Sequence, residues 1–452
     1  HQECLLAYFS GKSVDEIYLD QPRGGLPGLK PGQLLRAKKA IFGFAEAARL
    51  FWLALREHLE NHGWHMSRLE PALFYLRRDK KVIGVLVTHV DDIEGGVHPK
   101  YLDNAFYHPS RALEFATNHF KDFIFRGREV KQTPDGHIDI SMRNYALSMK
   151  RVKMETYNSV AGEGGWIARQ FRCDVAYEIN GVVQRSKVGT CMADLVRLKQ
   201  YVGMARRGAD FRMSVDLSNG VIVHLADSGH ANGSPDHNDI MRYRSVGGYF
   251  ILVANSCILE GKPSRANVLA FHSGQTKRVC RSTLAAEASH LAEAVEAGDW
   301  LTVLLEEALT NEVNLKSWPE VIERRDRVYV TDAKSVLDYL EKDSHSTSTD
   351  KRMAIEGALL RETVKRPRAH VRWTDGIQNI ADVLTKANAD KEVLRQYLKD
   401  GIICLSQTEA NFQLKEKRGL RDNDARLSSR PRLETRSRMI AETKLYETPR
   451  RS

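Results

Sequence analysis

Four acidic residues in the second half of this chain stand where a folding domain normally places apolar side chains, and that constrains its fold more than any other feature. Asp227 closes the strand-like run that begins Gly220, Val221, Ile222, Val223, and Asp332 closes Val328, Tyr329, Val330, Thr331. Glu287 lies on a helical segment with Leu284 three residues before it and Leu291 four after, so it shares their apolar stripe. Asp382 is wedged between Ile380-Ala381 and Val383-Leu384. A buried unpaired carboxylate is costly, and several converging ones repel unless a cation joins them. The pattern therefore points to a divalent-metal site of the nuclease type.

At 452 residues the chain is long enough for two or three domains. With 42% hydrophobic and 28% charged residues, it reads as an ordinary globular protein rather than a disordered or fibrous one. The formal net charge of +10 favours polyanionic partners. From Lys415 to Ser452, however, twelve Lys and Arg face six Asp and Glu, so +6 of that +10 sits in the last stretch. The six cysteines are scattered without a C-x-x-C pair, which argues for reduced thiols and an intracellular setting, cytoplasmic or nuclear, and against structural zinc. No apolar run approaches the roughly 20 residues of a membrane span, and no signal peptide is visible. The chain opens at His1 inside what reads as a structured motif, and is expected to be part of a longer product.

Along the chain, Pro22, Gly24, Gly25, Pro27 and Gly28 break any early helix. Leu34 to about Asn61 carries helical spacing, with Gly63 ending it. Two strands, Ala72 to Leu76 and Val82 to Val90, form a hairpin pattern that runs into Asp91-Asp92. A helix and further strands around Pro134-Asp135-Gly136 follow, then mixed helix from 150 to 215. Residues 216–400 alternate strands with helices, including a long helix from about Thr283 to Leu309. The fold class is α+β, and after about residue 410 the apolar periodicity stops in a basic stretch expected to be disordered.

Adjacent acids cannot both point one way on a strand, but at a tight turn one can ligate a metal while the other supports it. Two such metals about 3.5–4 Å apart serve phosphoryl chemistry. The residues around Asp91-Asp92 resemble copia-type retrotransposon reverse transcriptases. The matching stretches are Lys39-Ala40-Ile41-Phe42-Gly43-Phe44, Ala47-Ala48-Arg49, Phe51-Trp52, Leu69 to Phe74, and His89-Val90-Asp91-Asp92. Phe125 to Val130 with Asp135 to Ile138 resembles the strand pair after that hairpin, and Gly165 to Asp174 the family's connecting segment. Three departures stand out. Glu3 occupies the place of the first catalytic Asp, four residues before Ala7-Tyr8; His89 replaces a Tyr and Ala48 a Pro. Tyr8 falls where an aromatic ring lies beneath the incoming dNTP, and most of the template-holding fingers would precede residue 1. The polymerase part is therefore expected to be impaired.

The second half is similar to the ribonuclease H domain of the same elements. Its Ser-Asp-Ala-Asp motif appears as Ala226-Asp227-Ser228-Gly229, its Ser-Thr-x-x-Ala-Glu helix as Ser282 to Glu287, its third acid as Asp332, and its closing motif as Ala381-Asp382-Val383-Leu384-Thr385-Lys386. The resemblance implies a truncated reverse-transcriptase palm (1–150), a connecting segment (151–215), a ribonuclease H-like mixed five-stranded sheet flanked by helices (216–400) and a basic tail (401–452). It also implies the partners: an RNA–DNA hybrid, an RNA template with a DNA primer, and Mg²⁺ (or Mn²⁺) held by Asp227, Glu287, Asp332 and Asp382, and by Asp91 and Asp92. Asp227 would bridge two ions and Asp382 would hold the second more loosely.

Other residues carry less. His224, His230, His237 and His272 lack zinc spacing and read as surface or loop residues, while Trp166 and Trp373 read as core anchors. Lys351-Arg352 and Arg242/Arg244 are candidates for phosphate contact. The alternative reading is a catalytically decayed or co-opted remnant that binds nucleic acid without cutting it.

Overall fold

The computed structural model describes residues 18–37, 47–90, 92–103, 105, 119–185, 191–215, 220–233, 243–310, 313–341, 350–387, 389–413 and 416. Glu3, Tyr8, Asp91 and Arg242 lie outside this set, as do residues 38–46 with the first resemblance motif. Chain order sets down a small pair, β1 (Tyr18–Leu19) with β2 (Leu35–Arg36). The helix expected from Leu34 is described only over Ala47–Asn61, because Leu35 and Arg36 pair as a strand. Its buried stripe is Ala47, Phe51, Leu55 and Leu59, a four-residue repeat that lays one face against a sheet.

That sheet is antiparallel, ordered β3 (Trp64–Met66), β4 (Leu73–Arg78), β5 (Lys81–His89) and β6 (Asp92–Val97). The charged turn between β4 and β5 is made by Asp79 and Lys80, both with positive φ. A second antiparallel sheet runs β10 (Arg212–Val215), β9 (Ile138–Ser141), β8 (Arg128–Gln132), β7 (Asp122–Phe125), with Gly136 at positive φ in the turn before β9.

The third sheet has six strands in the order β15 (Ala369–Trp373), β14 (Arg327–Thr331), β11 (Val221–Gly229), β12 (Val246–Ala254), β13 (Ser264–Gln275), β16 (Ile402–Ile403). β11 pairs parallel with β14 and antiparallel with β12, so the sheet is mixed. One strand more than the expected five is present, because Ile402-Ile403 pairs with Ser264-Arg265. Leu405 and Asn411 are buried just beyond, and Phe412 stacks on Trp373 at 4.4 Å. Residues 401–413, read from sequence as the start of a tail, thus continue the fold, since their short apolar run covers a sheet edge.

β11 is buried on both faces, which is why its sequence reads as a nearly unbroken apolar run. Val221, Val223 and Leu225 face one core, with Val328 and Val330 of β14 and with Ile380, Ala381, Val383 and Leu384. Ile222 and Ala226 face the other, against Ala285, Ala286, Leu291 and Ala294 of the helix Thr283–Thr310. The helices Tyr157–Gln170 and Ala176–Arg185 do not stand apart from this sheet: Ala168, Ala176 and Ile179 belong to the first core. His224, expected at the surface, is fully buried; its Nδ1 lies 3.1 Å from the Ala294 carbonyl, where a helical glycine, Gly298, leaves room for the ring. No helix among the described residues is long and apolar enough to cross a membrane.

Candidate metal centre

Strand parity and register place two of the acids. Side chains alternate along a strand, so Asp227 of β11 projects to the same face as Val223 and Leu225; Asp332 follows directly on the last residue of β14. β11 and β14 pair in parallel with Leu225 opposite Val330; two residues further along each chain come Asp227 and Asp332. Neighbouring strands lie about 4.8 Å apart, so the two carboxylates emerge side by side at the strand ends. Glu287 arrives from the second turn of the helix packed on the opposite face, and the backbone N–H of Ser228 donates to its carboxylate.

These three offer ligand oxygens that all lie within 4.8 Å of one another. Asp227 is 1% and Glu287 8% exposed, so water does little to screen their mutual repulsion. Burial, then the charges of Asp227 and Asp332, push Glu287 up to about 9. Burial and the neighbouring Asp227 also raise Asp332. Three hard oxygen donors in a buried cluster match the ligand chemistry of a divalent cation such as Mg²⁺ or Mn²⁺. The residues present therefore fit such an ion.

Asp382 is placed differently. It sits in the helical turn Ile380–Leu384 and, like Asp332, is only partly buried; burial and the charge of Asp227 raise its pKa. It reaches the cluster through Lys386, whose Nζ donates to Asp382 Oδ1 at 2.8 Å and to Asp227 Oδ1 at 3.2 Å. Burial works against the Lys386 charge, but the surrounding carboxylates overcome it and raise its pKa. Thr385 Oγ1 donates to the other oxygen of Asp227. Asn379 hydrogen-bonds the Asp332 side chain, and Trp373 Nε1 donates to the Asp332 carbonyl at 2.8 Å.

No local pattern in the sequence gives Lys386, Thr385, Asn379 or Trp373 a part at the site. The available signal was three polar side chains flanking Asp382 in an otherwise apolar stretch. Close packing around the site also depends on Gly247 and Gly248 of β12, where a Cβ would overlap the His290 ring on one face and Leu384 on the other.

Asp92 is exposed and opens β6 opposite His89, after a turn in which Val90 has φ 56°. Lys351 and Arg352 are exposed at the start of a helix whose N-cap is Asp350.

Two retrovirus-related Pol polyproteins of Arabidopsis thaliana, from transposon RE1 and transposon RE2, are 24% and 26% identical to this chain over 412 and 416 residues. The chain is a relative of the copia-type retrotransposon Pol polyproteins. Each match covers 84% of this chain and 26% of the Pol polyprotein, so the chain spans about a quarter of the length of these relatives. No family model matches the chain.

Proposed function

We propose that the six-stranded part of this Pol relative hydrolyses the RNA strand of an RNA–DNA hybrid, using divalent cations held by its clustered carboxylates. The convergence of Asp227, Glu287 and Asp332 from two strands and a helix carries this reading. Bound Mg²⁺ or Mn²⁺ would supply an attacking water of lowered pKa and neutralise charge on the phosphate. The chain's own groups do the rest. Asp227, near the end of the central strand, would hold a cation, with Thr385 fixing its orientation. Ser228 N–H steadies Glu287, and Asn379 and Trp373 steady Asp332. No protein nucleophile is needed. RNA would be told from DNA by its 2′-hydroxyl through shallow-groove contacts.

Polymerase activity is proposed to be impaired. Glu3 stands where the resemblance calls for Asp, and one extra methylene displaces a carboxylate by about 1 Å, which can cost roughly 10²-fold in rate. An RNA template, DNA primer and dNTP remain the ligands such a remnant would meet, with Asp91 and Asp92 as its metal-binding pair and Tyr8 beneath the dNTP.

The test is incubation of the full chain with a labelled RNA–DNA hybrid in Mg²⁺ and then in EDTA. Cleavage should require the cation and fall by about 10² or more in Asp227→Asn. A folded sample that binds the hybrid but never cuts it would replace this reading with that of a nucleic-acid-binding remnant.

A further inference from the structure

A cleft of about 200 Å³ opens between the helices Ala176–Arg185 and Met192–Arg207 and the place where β12 begins and β13 ends. Asn232 on its wall donates from Nδ2 to the Thr385 carbonyl at 2.9 Å, and Thr385 in turn bonds Asp227. The cleft therefore adjoins the metal centre without including any of its carboxylates. Its walls are fixed: Asn180 Nδ2 donates to the Ser273 carbonyl at 2.8 Å, and the Val246 N–H to Asn232 Oδ1 at 2.7 Å. The two charged side chains that line it are already compensated, Glu178 by Lys391 and Arg197 by Asp194. Neither a phosphate nor a metal ion finds an unopposed charge there. What the lining leaves open is acceptors. Glu178 Oε2 and Gln275 Oε1 are buried and have no hydrogen-bond partner among the described residues, and a buried acceptor left without a donor is costly. Tyr177 and Tyr201 add aromatic surface, and Gly181 leaves room, since a Cβ there would meet nothing within 4 Å.

We propose that this cleft binds an unpaired nucleobase that carries an exocyclic amino group, such as cytosine or adenine. Amino N–H groups of the base would donate to Glu178 Oε2 and Gln275 Oε1, which are acceptors, while its flat face lies against tyrosine, a contact open to any base. The volume is below the roughly 300 Å³ at which pockets for drug-sized ligands begin, so it suits a single base. Uracil, of the same size as cytosine, presents a carbonyl oxygen where cytosine carries its amino group, and would meet the two acceptors with a third. The base is supplied by a free nucleoside or by the single-stranded part of a nucleic acid. The inference needs no cation and goes beyond the nuclease reading, which stands or falls without it.

Saturation-transfer NMR of the full chain in EDTA, titrated with cytidine, adenosine, uridine and inosine, reads this site without reference to cleavage. Cytidine and adenosine are expected to bind at least about tenfold more tightly than uridine and inosine, the discrimination that hydrogen bonds to a charged acceptor supply. Gly181→Leu should fill the cleft and weaken cytidine binding by at least about tenfold through a clash with the base. Gly181→Met serves as a second filling variant should the leucine protein not fold, with circular dichroism confirming the fold of each. A single-stranded oligodeoxycytidylate that competes with cytidine would assign the base to a nucleic-acid strand. Cytidine binding without that competition would assign it to a free nucleoside, and either result supports the site. No cytidine bound by folded wild type, equal affinity for cytidine and uridine, or cytidine affinity unchanged in the filled variants would overturn the proposal while leaving the metal reading intact.

Discussion

Ser67, in the loop between β3 and β4, donates from Oγ to Oε2 of Glu307 at 2.5 Å, and by that bond the first antiparallel sheet is fixed to the far end of the helix that carries Glu287. Glu307 is buried; its other oxygen accepts from the backbone N–H of Arg68 at 3.0 Å and from Arg68 Nε at 3.1 Å. Arg77 Nη2 adds a 2.6 Å bond to the Glu307 carbonyl, and Leu69 packs on Val303, Val321 and Ile322.

Breaking that joint should loosen the hairpin sheet without touching the metal centre. Hydrogen bonds to a charged acceptor contribute about 1.5–3 kcal/mol, so Glu307→Gln is expected to raise amide exchange in β3 and β4 by at least tenfold. Glu287 sits roughly 30 Å away along the helix at 1.5 Å per residue, and Mn²⁺ affinity should not change. Unchanged exchange in the hairpin would show that the joint contributes nothing.

Glu287 sets a pH dependence with a definite sign. In the cation-free fold its pKa is raised from the ordinary 4.5 to about 9. Between those values the unfolded chain has lost this proton while the folded chain keeps it, so folding stability falls as pH rises. Glu287→Gln removes the term. In EDTA at pH 8 its Tm should exceed that of the wild type by roughly 5 °C, with little difference at pH 4. Binding of a cation to the wild type should release a proton, read by calorimetry in buffers of different ionisation enthalpy.

Gly298 lies on the long helix where a Cβ would overlap the buried His224 ring. The imidazole is pressed between that helix and Tyr329, with ring centroids 4.6 Å apart, and has no room to retreat. Overpacking of this kind costs about 1–3 kcal/mol, so Gly298→Ala should lower the urea midpoint, whereas Gly162→Ala, with open space around it, should not.

Arg172 and Asp174 form a buried bidentate pair at 2.7 and 2.8 Å, and Arg172 Nη1 also donates to the Ala205 carbonyl at 2.6 Å. Removing one partner of a buried pair strands the other charge, at a cost of about 3–5 kcal/mol. Arg172→Met should therefore destabilise strongly, and Arg172→Met with Asp174→Leu should recover much of the loss in denaturant unfolding.

Local chemistry in the sequence determined a good deal of this molecule. The apolar runs of β11 and β14 and the helical stripe around Glu287 marked the acids as out of place in their own segments, and turn residues such as Gly136 bounded the strands. What periodicity left open was everything that joins distant segments. Whether Asp227 lies beside Asp332 depends on the pairing of Leu225 with Val330, which no local pattern specifies. The burial of His224 follows from a glycine 74 positions later, and the bridging by Lys386 from bonds that anchor its turn to β11 and β13. Propensity and alternation act over a few neighbouring residues, whereas register, close approach and charge compensation arise only when segments a hundred residues apart pack together.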